Sequence, residues 1–423
     1  MEKIRVIWVG VGGRGYGLMK MVLDNIPYVD IVGVSDLYED RTERGRVLVK
    51  EKRGYEPFAS TNHLEVMERV EADAVVTPSS WESHAQVLVD AMEHGMYAAT
   101  EVGGATSLDD CWRLVRTSER TGKPCMMLEN CCYDRFEMTL LRMVREGLFG
   151  ELVHAEGGYR HDLRGEISGG HINRHYRLDN YKNRNGDLYP THALGPIAKT
   201  LEINRGNRMT SLVSVASKAR GLNEMIRTER GADFENADFP FAEGDVVTTI
   251  ISCAHGETIT LTHDTSLPRP YSRGYLLQGT KGIASEDRNF SVCIPGLTPP
   301  ATEGWDPHAW TPMAELYEKY EHPLWAAYRN IGVKSGHGGM DYLVFSAFFE
   351  AVREQKQTPI DVYDTAAWMA ITPLSEASVA CGGAPQAIPD FTNGAWIHRK
   401  PSPRGKFNVD IVCDEAFENL NEI

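Results

Sequence analysis

Ile4-Arg-Val-Ile-Trp-Val-Gly10-Val-Gly12-Gly-Arg-Gly15 is an apolar run that breaks into glycines, and an amphipathic stretch from Arg14 to Asn25 follows it. The order reads as a strand, a tight turn and a helix. Gly10, Gly12 and Gly15 fit the G-x-G-x-x-G spacing. The first glycine makes the turn, the second lets a pyrophosphate approach the backbone, and the third lets helix pack on strand. The helix N-terminus then faces the phosphates.

A glycine pattern alone is weak. Here a second apolar run, Ile31 to Val34, leads to Asp36 about 20 residues after Gly15, where an acid binds both ribose hydroxyls of a dinucleotide. Such an acid repels a 2′-phosphate, so NAD is expected over NADP. Further short strands are predicted at Ala74 to Val76, Tyr97 to Thr100 and Cys125 to Leu128. Helices fall between them, through the forties, from Gln86 to Glu93, and from Leu108 to Glu119 behind the capping sequence Ser107-Leu-Asp-Asp110. Strands alternating with helices predict an α/β, Rossmann-type, doubly wound parallel sheet over residues 1–130.

The rhythm then changes. A stretch rich in Gly, His, Arg and Asn from Gly157 to Gly186 has no clean period. Strands are predicted at Leu212 to Ala216, Val246 to Cys253, Thr258 to His263 and Tyr275 to Gln278, and helices at Tyr342 to Glu354 and Thr365 to Val379. Pro373 is expected to kink or divide the last helix. Grouped strands predict an α+β domain with an open, largely antiparallel sheet over 131–423, serving substrate binding and oligomerisation. The aromatic run Tyr342 to Phe349 reads as core. Residues from about Lys400 read as an exposed tail.

The formal charge is -15, from 44 Lys plus Arg against 59 Asp plus Glu. That balance argues against nucleic acid or an anionic membrane as partner, since both need clustered cations. No run approaches the ~20 apolar residues of a membrane-spanning helix. Eight cysteines without a CxxC read as reduced thiols. A cytoplasmic setting is expected, with a trimmed secretory leader as the other reading.

Thr77-Pro-Ser-Ser-Trp81-Glu-Ser-His84 falls between a strand and a helix, at the carboxyl end of the sheet where ligands bind in this fold. Trp81 and His84 either flank the nicotinamide or ribose, or fill the core and cap the helix. His171 and His175 have the i, i+4 spacing of a metal pair, but the glycines beside them disfavour a helix and no third ligand is assured, so no metal centre is expected.

Thr100-Glu101-Val102, placed after a strand in a chain of this order, resembles the glucose–fructose oxidoreductase and inositol dehydrogenase superfamily. Those enzymes usually carry a Lys where Val102 stands, and an Asp where Leu188 stands four residues before His192. An apolar Val is neither base nor cation. The departures point to glycoside hydrolase family 109, which Leu128-Glu-Asn130-Cys-Cys-Tyr133, Glu156-Gly-Gly-Tyr159-Arg-His-Asp-Leu163, Gly186-Asp-Leu-Tyr189-Pro-Thr-His192-Ala-Leu-Gly-Pro196, Pro268-Arg-Pro-Tyr271-Ser-Arg273, His337-Gly-Gly-Met-Asp341 and Asp361-Val-Tyr-Asp364 resemble. Gly103 departs from the Pro that often follows Glu-Val there, which implies a less rigid loop.

Beside Gly10 of the glycine spacing, the resemblance implies NAD contacts at Gly12, Gly13, Arg14, Gly15, Asp36, Trp81, His84, Glu101, Val102 and Asn130. It implies substrate contacts at Tyr159, Arg177, Tyr189, Thr191, His192 and Tyr271. It also implies a glycosidase, with α-N-acetylgalactosaminides or related hexosaminides as substrates, that keeps and recycles NAD. The expected route is oxidation at carbon 3, elimination across carbons 1 and 2, water addition and re-reduction. His192 is the first candidate for proton transfer, because imidazole titrates near neutrality; a helix-start residue satisfied by backbone is its other reading. Tyr189, three residues earlier, and Tyr159 are the further catalytic candidates, and Arg177 and Tyr271 orient hydroxyls or an N-acetyl group. Net sugar or inositol oxidation is the second function consistent with the sequence, and a nucleotide-binding sensor the third. Pairing of copies through the open sheet is expected.

Overall fold

The computed structural model describes residues 3–298, 309–333, 337–401 and 405–410. The chain forms two compact units. One takes the chain to Thr139, then Glu321–Ala367 and the chain from Arg399; the other takes Leu140–Tyr320 and Trp368–His398. The two units therefore interleave along the chain. Periodicity shows that a helix has a buried face, but not which sheet covers it.

The first unit is built on β1 (Ile4–Val9), β2 (Val29–Ser35), β3 (Phe58–Ser60), β4 (Ala74–Thr77), β5 (Tyr97–Thr100) and β6 (Cys125–Met127). They form one sheet in the order β3-β2-β1-β4-β5-β6, with every pairing parallel. This is the doubly wound sheet the sequence predicts, with the three-residue edge strand β3 added. Helix Met340–Glu354, buried along nearly its whole length, belongs to this unit. Its Phe345 ring stacks on Trp8 of β1, with centroids 6.0 Å apart. Burying a side chain of that size contributes about 1.5–3 kcal/mol.

The second unit holds β7 (Leu152–Arg160), β8 (Met209–Ala216), β9 (Val247–Cys253), β10 (Thr258–Asp264), β11 (Leu276–Gly279), β12 (Gly282–Ser285), β13 (Ser291–Cys293), β14 (Thr311–Pro312) and β15 (Gln386–Ala387). Their order is β14-β13-β12-β11-β7-β10-β9-β8-β15. Only β7 and β10 run parallel, so the sheet is mixed and mostly antiparallel. Strand β9 alternates buried and less buried residues, and Val153, Val215 and Ile250 stand exposed. One face is thus covered and the other open.

Three short helices, Arg164–Ser168, Gly170–Asn173 and Arg177–Asn183, fill the stretch without a period. The chain divides at Ala370 into helices Val362–Met369 and Ile371–Ala380, with Pro373 in the first turn of the latter, where a missing N–H costs nothing. The expected tail is not all exposed: Phe407, Asn408 and Val409 are buried. Tyr133 donates to the Phe407 carbonyl at 2.9 Å, and Glu350 accepts from the Lys406 and Phe407 amides. Seven cysteines are free thiols, and Cys413 lies outside the described residues. No helix among the described residues is long and apolar enough to cross a membrane.

Candidate active site

Both units carry groups of polar residues that the sequence singles out. In the first unit, Gly10 has φ +108°, and a Cβ there would lie 2.7 Å from the Ser79 amide nitrogen; a Cβ on Gly15 would lie 2.3 Å from the Gly10 carbonyl oxygen. Turn and helix meet only because both lack side chains. A Cβ on Gly13 would meet nothing within 4 Å, and one on Gly12 only the Arg41 guanidinium at 3.5 Å. The helix that starts at Gly13 has no side-chain cap, so its first N–H groups are open to an anion. Asp36, directly after β2, is buried and accepts from the amides of Val11 at 2.7 Å and Tyr38 at 3.0 Å. The carboxylate thus holds the glycine loop at the end where the adenosine ribose binds in this fold. Open glycines, an uncapped helix and an acid ending β2 fit NAD.

The remaining residues assigned to NAD sit at the carboxyl ends of β4, β5 and β6. Trp81 and His84 open helix Trp81–Glu93 and are buried. Burial pushes the His84 imidazole down to about 4, against the hydrogen bond to Ser79. It is a neutral ring with Nε2 3.2 Å from the Ser79 carbonyl. Glu101, Val102 and Asn130 are also buried. Arg14 Nη2 reaches Glu101 at 3.1 Å.

The sequence gives no role to Asp341, yet its carboxylate stands at the middle of this group. Arg14 donates to it from both Nη1 and Nη2, at 2.7 and 2.9 Å, and Asn130 Nδ2 donates at 2.8 Å. His337 Nδ1 lies 2.9 Å away. Burial works to raise the Asp341 pKa, but Arg14 and His337 hold it well below the usual carboxylate range.

In the second unit, four segments bring the substrate candidates together. Tyr159 ends β7, Arg177 starts a short helix, Tyr189 precedes helix Thr191–Thr200, and Tyr271 follows β10. The Tyr159 ring lies 4.5 Å from Tyr189, 5.5 Å from His192 and 6.3 Å from Tyr271, centroid to centroid. Tyr189 Oη is 3.4 Å from His192 Nε2. The helix starts after Pro190, and the turn before it brings the two rings together. Arg177 is buried, with its guanidinium 5.1 Å from the Tyr189 ring and 5.9 Å from the Tyr159 ring, and Nε 3.0 Å from Glu166. Thr191 is fully buried at the helix start, and Tyr271 is about half exposed.

One neighbour escaped assignment. His161 Nδ1 lies 3.2 Å from Tyr159 Oη, and its ring is 5.1 Å from Tyr271. Burial, then Arg177, lower its pKa. Its spacing of two from Tyr159, which puts both on one side of an extended chain, was the available signal. His171 and His175 lie on either side of a helix end. The intervening Arg174 has φ +55° and ends the turn, and the two rings lie against Glu235 and Glu166 respectively.

Buried groups surround the phenol of Tyr181. Tyr181 Oη lies 3.0 Å from His263 Nε2, and His263 is the register partner of Tyr159 across β10 and β7. Asp187 and Glu243 lie 3.9 and 3.7 Å from that imidazole. Burial, then Arg177, push His263 down to about 3. Burial raises Asp187 to about 7, against an N–H from Tyr189, and burial also holds Glu243 well above the usual carboxylate range.

A parallel Rossmann sheet followed by a nine-stranded mixed sheet defines the class: a protein on the fold of the inositol dehydrogenases. A myo-inositol 2-dehydrogenase from Lactobacillus plantarum superposes with a TM-score of 0.63 at 14% identity, over 92% of this chain and 100% of that one. An oxidoreductase from Agrobacterium radiobacter, solved with NAD+, L-tartaric acid and magnesium, superposes with a TM-score of 0.60 at 15% identity, over 91% of this chain and 98% of that one. Residues 4–129 match the oxidoreductase family NAD-binding Rossmann fold, and residues 133–398 match the glycosyl hydrolase 109 C-terminal domain. An α-N-acetylgalactosaminidase of Tannerella forsythia is 40% identical over 94% of this chain and 88% of its own length. One of Shewanella oneidensis is 38% identical over 95% and 88%. The chain belongs to glycosyl hydrolase family 109.

Proposed function

We propose that this protein hydrolyses α-N-acetylgalactosaminides or closely related hexosaminides while retaining NAD through each turnover. Two relatives are named α-N-acetylgalactosaminidases, and the observation in this chain that supports the reading is the convergence of Tyr159, Tyr189 and His192, with Tyr189 Oη 3.4 Å from His192 Nε2. Phenols and an imidazole are suited to moving protons near neutral pH. The first unit's Gly10 to Gly15 turn, Asp36, Glu101 and Asn130 hold NAD, which when bound supplies an acceptor, and later a donor, of hydride for one sugar carbon.

The chain's own residues have the remaining work. A base takes the proton of the carbon-3 hydroxyl as that carbon is oxidised. A ketone at carbon 3 acidifies the hydrogen on carbon 2; a base removes it, and the anomeric substituent leaves with the electron pair of its own bond. Water then adds at carbon 1, and carbon 2 is reprotonated. His192 and Tyr189, adjacent to one another, take the proton-transfer roles, and Tyr159 donates to the enolate oxygen. Arg177, paired with Glu166, and Tyr271 orient the substrate's hydroxyl and N-acetyl groups.

Net oxidation of a sugar is the competing activity on this fold. The buried Val102 has no proton to exchange where the dehydrogenases carry Lys, and this supports hydrolysis. Aryl glycosides, with the α-N-acetylgalactosaminide first, offered with and without added NAD while absorbance of NADH is followed, separate the two. Aryl release without accumulating NADH is expected; NADH formed in proportion to product establishes a dehydrogenase instead.

A further inference from the structure

We propose that Asp341 is the positioning residue for the nicotinamide half of the cofactor site, holding Arg14, Asn130 and, through Arg14, Glu101 in one hydrogen-bonded set. The inference rests on the NAD assignment above, not on the hydrolytic one. Strand order supplies the direction. Asp36 follows β2 and marks the adenosine side, whereas Glu101 follows β5 and Asn130 lies beyond β6. In the order β2-β1-β4-β5, β5 stands three strands from β2, about 14 Å at the usual spacing. A dinucleotide laid across the switch point has its adenosine on one side and its nicotinamide on the other.

Asp341 is almost wholly buried and uses both oxygens: Oδ2 takes Arg14 Nη1 at 2.7 Å, and Oδ1 takes Arg14 Nη2 at 2.9 Å and Asn130 Nδ2 at 2.8 Å. A bidentate carboxylate fixes the plane of the guanidinium. The same Nη2 also donates to Glu101 at 3.1 Å, so the guanidinium plane sets where the Glu101 carboxylate rests. The Asn130 amide is oriented the same way: its nitrogen donates to Asp341, which leaves its carbonyl oxygen pointing elsewhere, with Cys131 Sγ at 3.6 Å. Two charges of opposite sign in contact, each carried by the first turn of a helix, stay put far better than the same groups on loops. Glu101 and Arg14 are therefore pre-set before NAD arrives. The tie spans 327 positions of sequence between Arg14 and Asp341.

The test compares two ligands on the same protein. Asp341→Asn keeps the shape but puts an N–H against either Arg14 or Asn130, and a lost charge-assisted hydrogen bond weakens binding about 10-fold or more. NAD and ADP-ribose, which lacks the nicotinamide, are titrated into the purified protein and the D341N variant by calorimetry. Expected is a loss of about 10-fold for NAD with less than about twofold for ADP-ribose. Unchanged NAD affinity, or an equal loss for both ligands, overturns the assignment. Asp341→Glu, which keeps the charge but moves it by one methylene, gives the same comparison if D341N does not fold. No glycoside enters the measurement, so a failure here leaves the hydrolytic reading standing, and a failure of that reading leaves this one.

Discussion

The indole of Trp81 occupies the place a side chain on Gly103 would take: a Cβ there would lie 2.3 Å from Trp81 Cδ1 and 2.5 Å from Nε1. Gly103 has φ +150°, which a proline ring, fixed near -65°, does not adopt. The glycine is thus matched to the tryptophan, and the loop after Glu101-Val102 is held by packing.

Gly103→Ala is accordingly expected to destabilise the protein by about 1–3 kcal/mol, the usual cost of overpacking a filled site. Gly103→Pro should cost more. Urea unfolding of the two variants checks both, and an unchanged midpoint for Gly103→Ala would contradict the packing.

His192→Ala and Tyr189→Phe should each lower aryl glycoside turnover by about 100-fold or more, the scale of lost acid–base help. NAD affinity should stay the same, since neither residue belongs to the dinucleotide fingerprint. Full activity in both variants would remove them from the proton-transfer roles.

The buried groups around Tyr181 predict a pH dependence of stability. Asp187, raised by burial to about 7, is protonated in the native state where an unfolded aspartate, near pKa 3.9, has ionised. Its contribution is complete below about pH 4 and is lost as pH rises toward 7, at up to about 1.4 kcal/mol per pH unit. His263, pushed down to about 3, works in the opposite direction as pH falls. The comparison of Asp187→Asn with the parent therefore isolates the carboxyl. Between pH 4.5 and 7 the parent should lose stability relative to the variant. Parallel curves would mean Asp187 does not titrate in that window.

The Rossmann sheet was legible because each of its signals is local: a glycine spacing, an acid ending the next strand, and strands alternating with helices. Strand β7 was not, although it is central to the second sheet. Gly157 and Gly158 interrupt its apolar pattern, and both are needed: a Cβ on Gly157 would lie 2.4 Å from the Ala193 Cβ, and one on Gly158 would lie 2.0 Å from the Thr262 carbonyl oxygen. Close backbone approach hides a strand from a hydrophobicity pattern. Tyr159 was joined to Tyr189 and His192 only through the family resemblance, since two separate segments of the chain carry them. Asp341 was visible as part of a motif and not as a partner, because nothing in a linear sequence ties it to Arg14.

Deuterium incorporation tests the central claim most directly. If cleavage proceeds through a ketone at carbon 3, the hydrogen on carbon 2 is lost and then replaced from solvent. Sugar released in deuterium oxide should carry deuterium at carbon 2 and keep its original hydrogen at carbon 3, read by proton NMR and mass spectrometry. A hydrolase using two carboxyl groups never ionises carbon 2. Active cleavage with no label at carbon 2, where the free sugar itself does not exchange, would contradict the redox–elimination route.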